Sequence, residues 1–211
     1  MSLVAKSEGN FMTVPAGMHL ARCYRIIDLG TQKSDYMGQV KYLPKVMMQF
    51  EVHGDDDQGN PLLTGDGRPL SITKSFTLTL SDKSTLRKDL QTWRGRDFTA
   101  QELKGFELKN VLGAWAMVSV THSESNGKTY TNIAAIMPVP ANIKKAGMPE
   151  PVNPVQMYTI HEDNKEVFNS LSENLKKRIM ESPEWQEKNQ GITEGPSAMS
   201  AITKLDDDIP F

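Results

Sequence analysis

Cations interleaved with flat rings are the most conspicuous chemistry in this chain. Lys33, Tyr36, Lys41, Tyr42 and Lys45 fall close together, in what reads as a mobile connection between two strands. Ammonium groups neutralise phosphates and phenol rings stack on unpaired bases, each stacked base contributing about 1–3 kcal/mol. A solvated loop with two semi-buried tyrosines would have the same composition. Arg22 and Tyr24 share one strand face, opposite Ala21 and Cys23, and are candidates for the same groove, as are Lys74, Trp115 and Tyr130. Cross-strand packing is the competing role for each of these singly. Trp93 reads as core, and Arg87, Lys88, Arg94 and Arg96 as solvated positions on or just past a helix.

Catalytic groupings are hard to assemble. His19, His53, His122 and His161 are scattered, and Cys23 stands alone inside a strand. Neither a Gly-x-Ser-x-Gly elbow nor a phosphate-cradling loop of the Gly-x4-Gly-Lys-Ser/Thr form occurs. The expectation is therefore a non-enzyme without cofactor, metal or disulfide. Asp55, Asp57 and Asp66 match three positions of a calcium loop, but the required glycine is displaced and the flanks are strands, so a hairpin loop accounts for them.

The most specific motif is the end of the chain: Asp206, Asp207, Asp208, Ile209, Pro210 and Phe211. A solvated acidic tail explains the aspartates but not Ile-Pro-Phe. The pattern resembles the acidic tip of bacterial replicative single-stranded DNA-binding proteins. That resemblance implies a protein-partner site in which the carboxylates steer and Phe211 anchors in a basic-rimmed pocket.

The elements that must position these residues follow from periodicity. Period-two runs give strands over His19–Leu29, Val46–Val52, Ser71–Leu80, Ala114–Thr121 and Tyr130–Met137, and a polar Asp/Gly/Asn/Pro loop spans Asp55–Pro69. On the second strand Val46, Met48, Phe50 and Val52 form the apolar face, and on the third Phe76, Leu78 and Leu80 do. Between strands three and four the period becomes helical through Leu86, Leu90 and Trp93, with Ser84 as N-cap and Gly95 as terminator. Three strands, a helix and two strands predict a mainly β chain: a five-stranded OB-fold Greek-key barrel with the helix between strands 3 and 4. A β-sandwich would need about seven strands.

The body also resembles phage-encoded single-stranded DNA-binding proteins over about residues 11–140. The likeness rests on Ala21-Arg22, Asp28-Leu29-Gly30-Thr31-Gln32, Lys83-Ser84-Thr85-Leu86-Arg87, Trp93-Arg94-Gly95-Arg96 and Phe98-Thr99. It implies an OB-fold and a role in phage DNA replication or recombination, and it leaves the DNA-contacting residues unassigned. The expected organisation is an OB domain over 1–140, a Pro-containing linker over 141–163, a short amphipathic helical segment over 164–187 carrying Val167, Leu171, Leu175 and Ile179, and a disordered tail over 188–211.

Charge agrees with this division. Residues 1–140 carry 16 basic and 14 acidic side chains, while 141–211 carry 8 and 12. A basic body suits nucleic acid, though net charge reports on non-specific binding rather than on fold. No apolar run approaches the ~18 residues of a membrane span and no signal peptide is visible, so a soluble, cytoplasmic protein is expected, without a membrane partner. The expected partners are single-stranded DNA, bound largely without regard to sequence, and host replication and repair proteins captured by the tip; a homo-oligomer is compatible. A recombination annealing protein and a non-DNA-binding adaptor that mimics the host recruitment tail stand as alternatives.

Overall fold

The computed structural model describes residues 13–36, 38–162 and 164–189. Its frame is five antiparallel strands, β1 (Gly17–Tyr36), β2 (Gln39–His53), β3 (Ser71–Thr77), β4 (Trp115–Ser125) and β5 (Lys128–Met137). They pair in the order β3-β2-β1-β4-β5, and a short β6 (Gln156–Tyr158) joins β1 in parallel. Among the described residues no helix is long and apolar enough to cross a membrane.

The alternation on β2 is realised as expected: Val46, Met48, Phe50 and Val52 are all buried in the main core. Helix α1 (Thr85–Arg94) follows its sequence signals as well. The Ser84 hydroxyl accepts from the Arg87 amide at 3.0 Å, and Gly95 ends the helix in the left-handed region at φ 67°. Its buried face presents Leu86, Leu90 and Trp93; the Trp93 indole packs 5.7 Å from the Phe50 ring and donates to the Trp115 carbonyl at 2.8 Å. The β4–β5 hairpin turns through Asn126 and Gly127, both at positive φ, as a two-residue turn matched to strand twist requires.

Several expectations change. The sheet does not close into a barrel: among the described residues β3 has a backbone ladder with β2 alone, and β5 with β4 alone. Across the opening, Lys74 of β3 pairs with Asp89 of α1 at 2.6 Å and reaches the Ala134 carbonyl of β5 at 3.4 Å, so side chains and a helix stand where ladder hydrogen bonds would close a barrel. β3 ends at Thr77 because the Thr79 amide turns back onto the Thr77 carbonyl; Leu78, expected in the core, is 45% exposed. β1 does not stop at Gly30. A register shift between Asp28 and Gly30, with Gly30 at φ 65°, lets the strand bend and continue.

The largest difference lies in the C-terminal third. Residues 141–163, expected as a linker, contain α3 (Ala141–Ala146) and β6, and Tyr158 and Ile160 are buried. The single amphipathic helix expected from Asn164 to Ile179 is divided into α4 (Lys165–Asn169) and α5 (Glu173–Met180), because the Ser170 hydroxyl closes α4 on the Val167 carbonyl and Ser172 starts α5. A further helix, α6 (Pro183–Asn189), takes in Lys188 and Asn189, the first residues of the expected tail; the rest of that tail lies outside the described residues. The periodicity itself is right, since Val167, Leu171 and Ile179 are buried and Leu175 packs beside them. They cover Ile27, Leu29 and Met47 on the outer face of β1 and β2, forming a second core with Tyr158 and Ile160. Phe168 stacks on Trp185 at 4.5 Å and lies 5.6 Å from Tyr158.

Gly30 joins the two layers. A Cβ there would lie 2.5 Å from the Ser182 side chain and 2.8 Å from Ile160, and its φ is unfavourable for any L side chain. Gly30→Ala should lower stability by about 2–4 kcal/mol, from strain plus overpacking, as read by the chemical denaturation midpoint.

Candidate nucleic-acid interface

Beyond Gly30 the expected mobile connection is an ordered two-stranded ribbon. β1 and β2 stay paired out to Tyr36 opposite Gln39. In the register Lys33 faces Tyr42, Ser34 faces Lys41 and Gly30 faces Lys45. Opposed residues share a face and neighbours alternate, so the predicted cluster divides: Lys33 and Tyr42 on one face, Lys41 and Lys45 on the other, with Tyr36 at a position of the latter. Lys33 and Lys41 are exposed and the Tyr42 ring is 67% exposed, whereas Lys45 is half-buried and donates to the Thr77 hydroxyl at 2.8 Å.

The foot of the ribbon is bolted to the C-terminal helices. The Thr31 amide and hydroxyl both donate to the Glu184 carboxylate, at 2.9 and 2.5 Å, and the Gln32 amide donates to the carbonyls of Leu29 and Arg178 at 2.7 and 2.8 Å. Burial opposes the Glu184 charge, but the Thr31 donations outweigh it and hold the carboxyl below its ordinary value. A second ribbon, the outer half of β4–β5, extends past the opposite end of β1 and carries Tyr130, 48% exposed and opposite Ser123.

The other candidates are occupied elsewhere. Arg22 is not a groove residue: it is buried, pairs with the fully buried Glu51 at 2.5 Å and donates to the Asn153 carbonyl at 3.1 Å. Tyr24 is buried beneath the Arg25 guanidinium, which lies 5.6 Å from the ring centroid. Lys74 is held by Asp89. Trp115 is half-buried against His53, with ring centroids 4.9 Å apart. Arg22 and Tyr24 are taken up because the outer face of β1 and β2 is covered, Lys74 because α1 and β5 meet it at the open seam, and Trp115 because it packs across the strands on His53. The tip Asp206–Phe211 lies outside the described residues.

Two residues that pattern reading passed over flank a polar cleft of about 410 Å³ on this outer face. Arg25 and Arg68 line it together with Tyr24, Gln49, Ser71 and Asn153. Arg25 also bonds Gln156, and Arg68 pairs with Asp66 at 2.7 Å. The cleft exists only because residues 153–175 fold back over the sheet, so no local spacing could have announced it.

Neither protein-family models nor curated proteins give a match to this chain.

Glu51 is the electrostatic centre beneath this surface. Burial works against its charge, yet donations from the Asn153 amide and side chain and from Arg22, with His53 Nε2 3.3 Å away, hold its carboxyl below the ordinary 4.5. Arg22→Ala would leave that buried carboxylate without its countercharge and should cost about 3–5 kcal/mol at pH 7. A depressed folded-state value stabilises above the unfolded value and is lost as pH falls through the folded one. The penalty should therefore shrink below pH 4.5; denaturation of both proteins at neutral and acid pH is the check.

Proposed function

We propose that this chain binds single-stranded DNA, largely without regard to sequence, in phage DNA replication or recombination, and recruits host replication and repair proteins through Asp206–Phe211. In this reading the curled sheet is an OB-type frame. The order β3-β2-β1-β4-β5, with α1 between β3 and β4, supports this reading, in which Lys74 bridges the β3–β5 seam where a barrel would have a ladder. The two ribbons then correspond to the loops that flank an OB binding surface.

The observation that carries the proposal is the exposed pair of Lys33 and Tyr42 at matching register on an anchored ribbon, with Lys41 on its reverse. A cation beside a solvent-facing ring can hold a phosphate while its neighbouring base stacks. Anchoring at Thr31 and Gln32 orders the foot of the ribbon before binding, which reduces the entropy lost when a strand is captured.

Anisotropy titrations of labelled oligonucleotides test this. Tyr42→Ala should weaken single-strand binding by about 5- to 150-fold, the range for loss of one stacked base. Replacing Lys33 and Lys41 together by Ala should reduce the salt slope by about 1.4, at ~0.7 per phosphate contact, while Lys144→Ala with Lys145→Ala leaves it unchanged. Equal affinity for duplex, or no binding, overturns the proposal.

The tip has its own readout. Removing Asp206–Phe211 should leave the fold intact and DNA affinity equal or slightly raised at low salt, since carboxylates that compete for basic surface are gone. The same truncation should abolish capture of replication and repair proteins in a pull-down from host lysate; retention of the same partners would refute the recruitment role.

A further inference from the structure

At the foot of the ribbon, where β1 crosses from one core to the other, a cavity of about 230 Å³ opens between the sheet and β6. Its walls are apolar, chiefly Ile26, Val46, Leu78, Phe106 and Met157. Three polar groups also line it: Asp28, Tyr158 and Thr159. Tyr158 is 2% exposed, and neither its hydroxyl nor that of Thr159 has a hydrogen-bond partner among the described residues. Buried hydroxyls are ordinarily satisfied, so two residues with unsatisfied hydroxyls in the lining of one cavity call for a partner beyond the described residues.

The polar groups define what that partner must be. Burial, with the Asp28 charge adding to it, pushes the Tyr158 phenol up to about 12, so it remains a protonated donor at neutral pH. Asp28 already accepts from the Gly30 amide at 2.9 Å and the Ile160 amide at 3.3 Å, and a carboxylate has capacity for more. Its charge disfavours a phosphate or any other anion. The complement is a neutral, flat, largely apolar ring whose edge carries both N–H donors and acceptors. The location narrows this further. Val46 directly follows Lys45 and faces Asp28 in the ladder, and the Leu78 amide donates to the Pro44 carbonyl, so the cavity lies against the foot of the ribbon next to Lys45.

We propose that this cavity takes up one unpaired nucleobase from the bound strand, with its faces against the apolar walls and its polar edge on Tyr158, Thr159 and Asp28. The proposal rests on the single-strand reading given above. It adds a buried base site, distinct from stacking on exposed rings, to a surface that otherwise recognises only backbone and ring faces.

The test uses the full chain and the four neutral deoxynucleosides, which lack phosphate and so do not depend on the ribbon. Saturation-transfer NMR should show transfer to at least one nucleoside. Leu78→Trp, which fills the mouth from an exposed position, should abolish that transfer. Tyr158→Phe should weaken the same nucleoside about three- to tenfold, the range for one neutral hydrogen bond, and leave the apo protein as stable as the wild type or more so, because it deletes an unsatisfied group. Transfer to no nucleoside, or transfer unchanged in Leu78→Trp, overturns the base site. Oligonucleotide titrations run alongside separate the two readings. Strands that bind without nucleoside transfer leave DNA binding standing and remove the cavity; nucleosides that bind where strands do not leave the cavity standing and remove the DNA-binding reading.

Discussion

Ile27, Leu29 and Met47 project from the outer face of β1 and β2, and an apolar patch of that size facing water is costly unless something covers it. The cover is the chain's own C-terminal third. Once Tyr158, Ile160, Val167, Leu171 and Ile179 are laid on that face, most other features follow. Arg22 and Glu51 are shut inside and must satisfy each other, with Asn153 supplying further hydrogen bonds from the covering segment. Gly30 cannot carry a side chain because Ser182 has taken the space. The ribbon gains a fixed foot because Glu184 and Arg178 arrive beside Thr31 and Gln32.

This cover redistributes the polar surface. Left uncovered, the outer faces of β1, β2 and β3 would form one continuous platform. Here the middle of that platform is packed, and what stays open lies around it: a polar cleft with Arg25 and Arg68, the two ribbons, and a cavity at the seam with β6. Long reach, supplied by paired strands rather than by a broad face, is the geometry this arrangement favours.

Local signals were legible in the sequence and long-range ones were not. Ser84 and Gly95 marked α1 at both ends because capping is decided within a few residues, and Val46, Met48, Phe50 and Val52 revealed one buried face because strand alternation is equally local. The apolar Met47 and the buried Glu51 on the other face were the only hints that β2 is covered twice, and alternation alone gives no reason to prefer that over an open face. Lys33, Lys41, Tyr42 and Tyr130 kept their predicted exposure, since ribbon tips have no packing partners to claim them. Arg22, Lys74 and Trp115 did not, because each meets a residue remote in sequence, Glu51, Asp89 and His53 respectively, and Tyr24 is buried beside its own neighbour Arg25. The division of the C-terminal helix at Ser170 and Ser172 was visible in principle, as serine favours helix ends.

The parallel pairing of β6 with β1 joins Arg25 to Gln156 and Ile27 to Tyr158. On a ribosome adding about 5–20 residues per second, those partners emerge on the order of ten seconds apart. Throughout that interval the strands already made hold Ile27, Leu29 and Met47 without their cover, a sticky surface in a crowded translating cell. The nascent chain is thus most vulnerable to chaperone capture or mispairing before its last helices are synthesised, and a released chain cut short near residue 150 would display a nearly complete sheet with its outer side still bare.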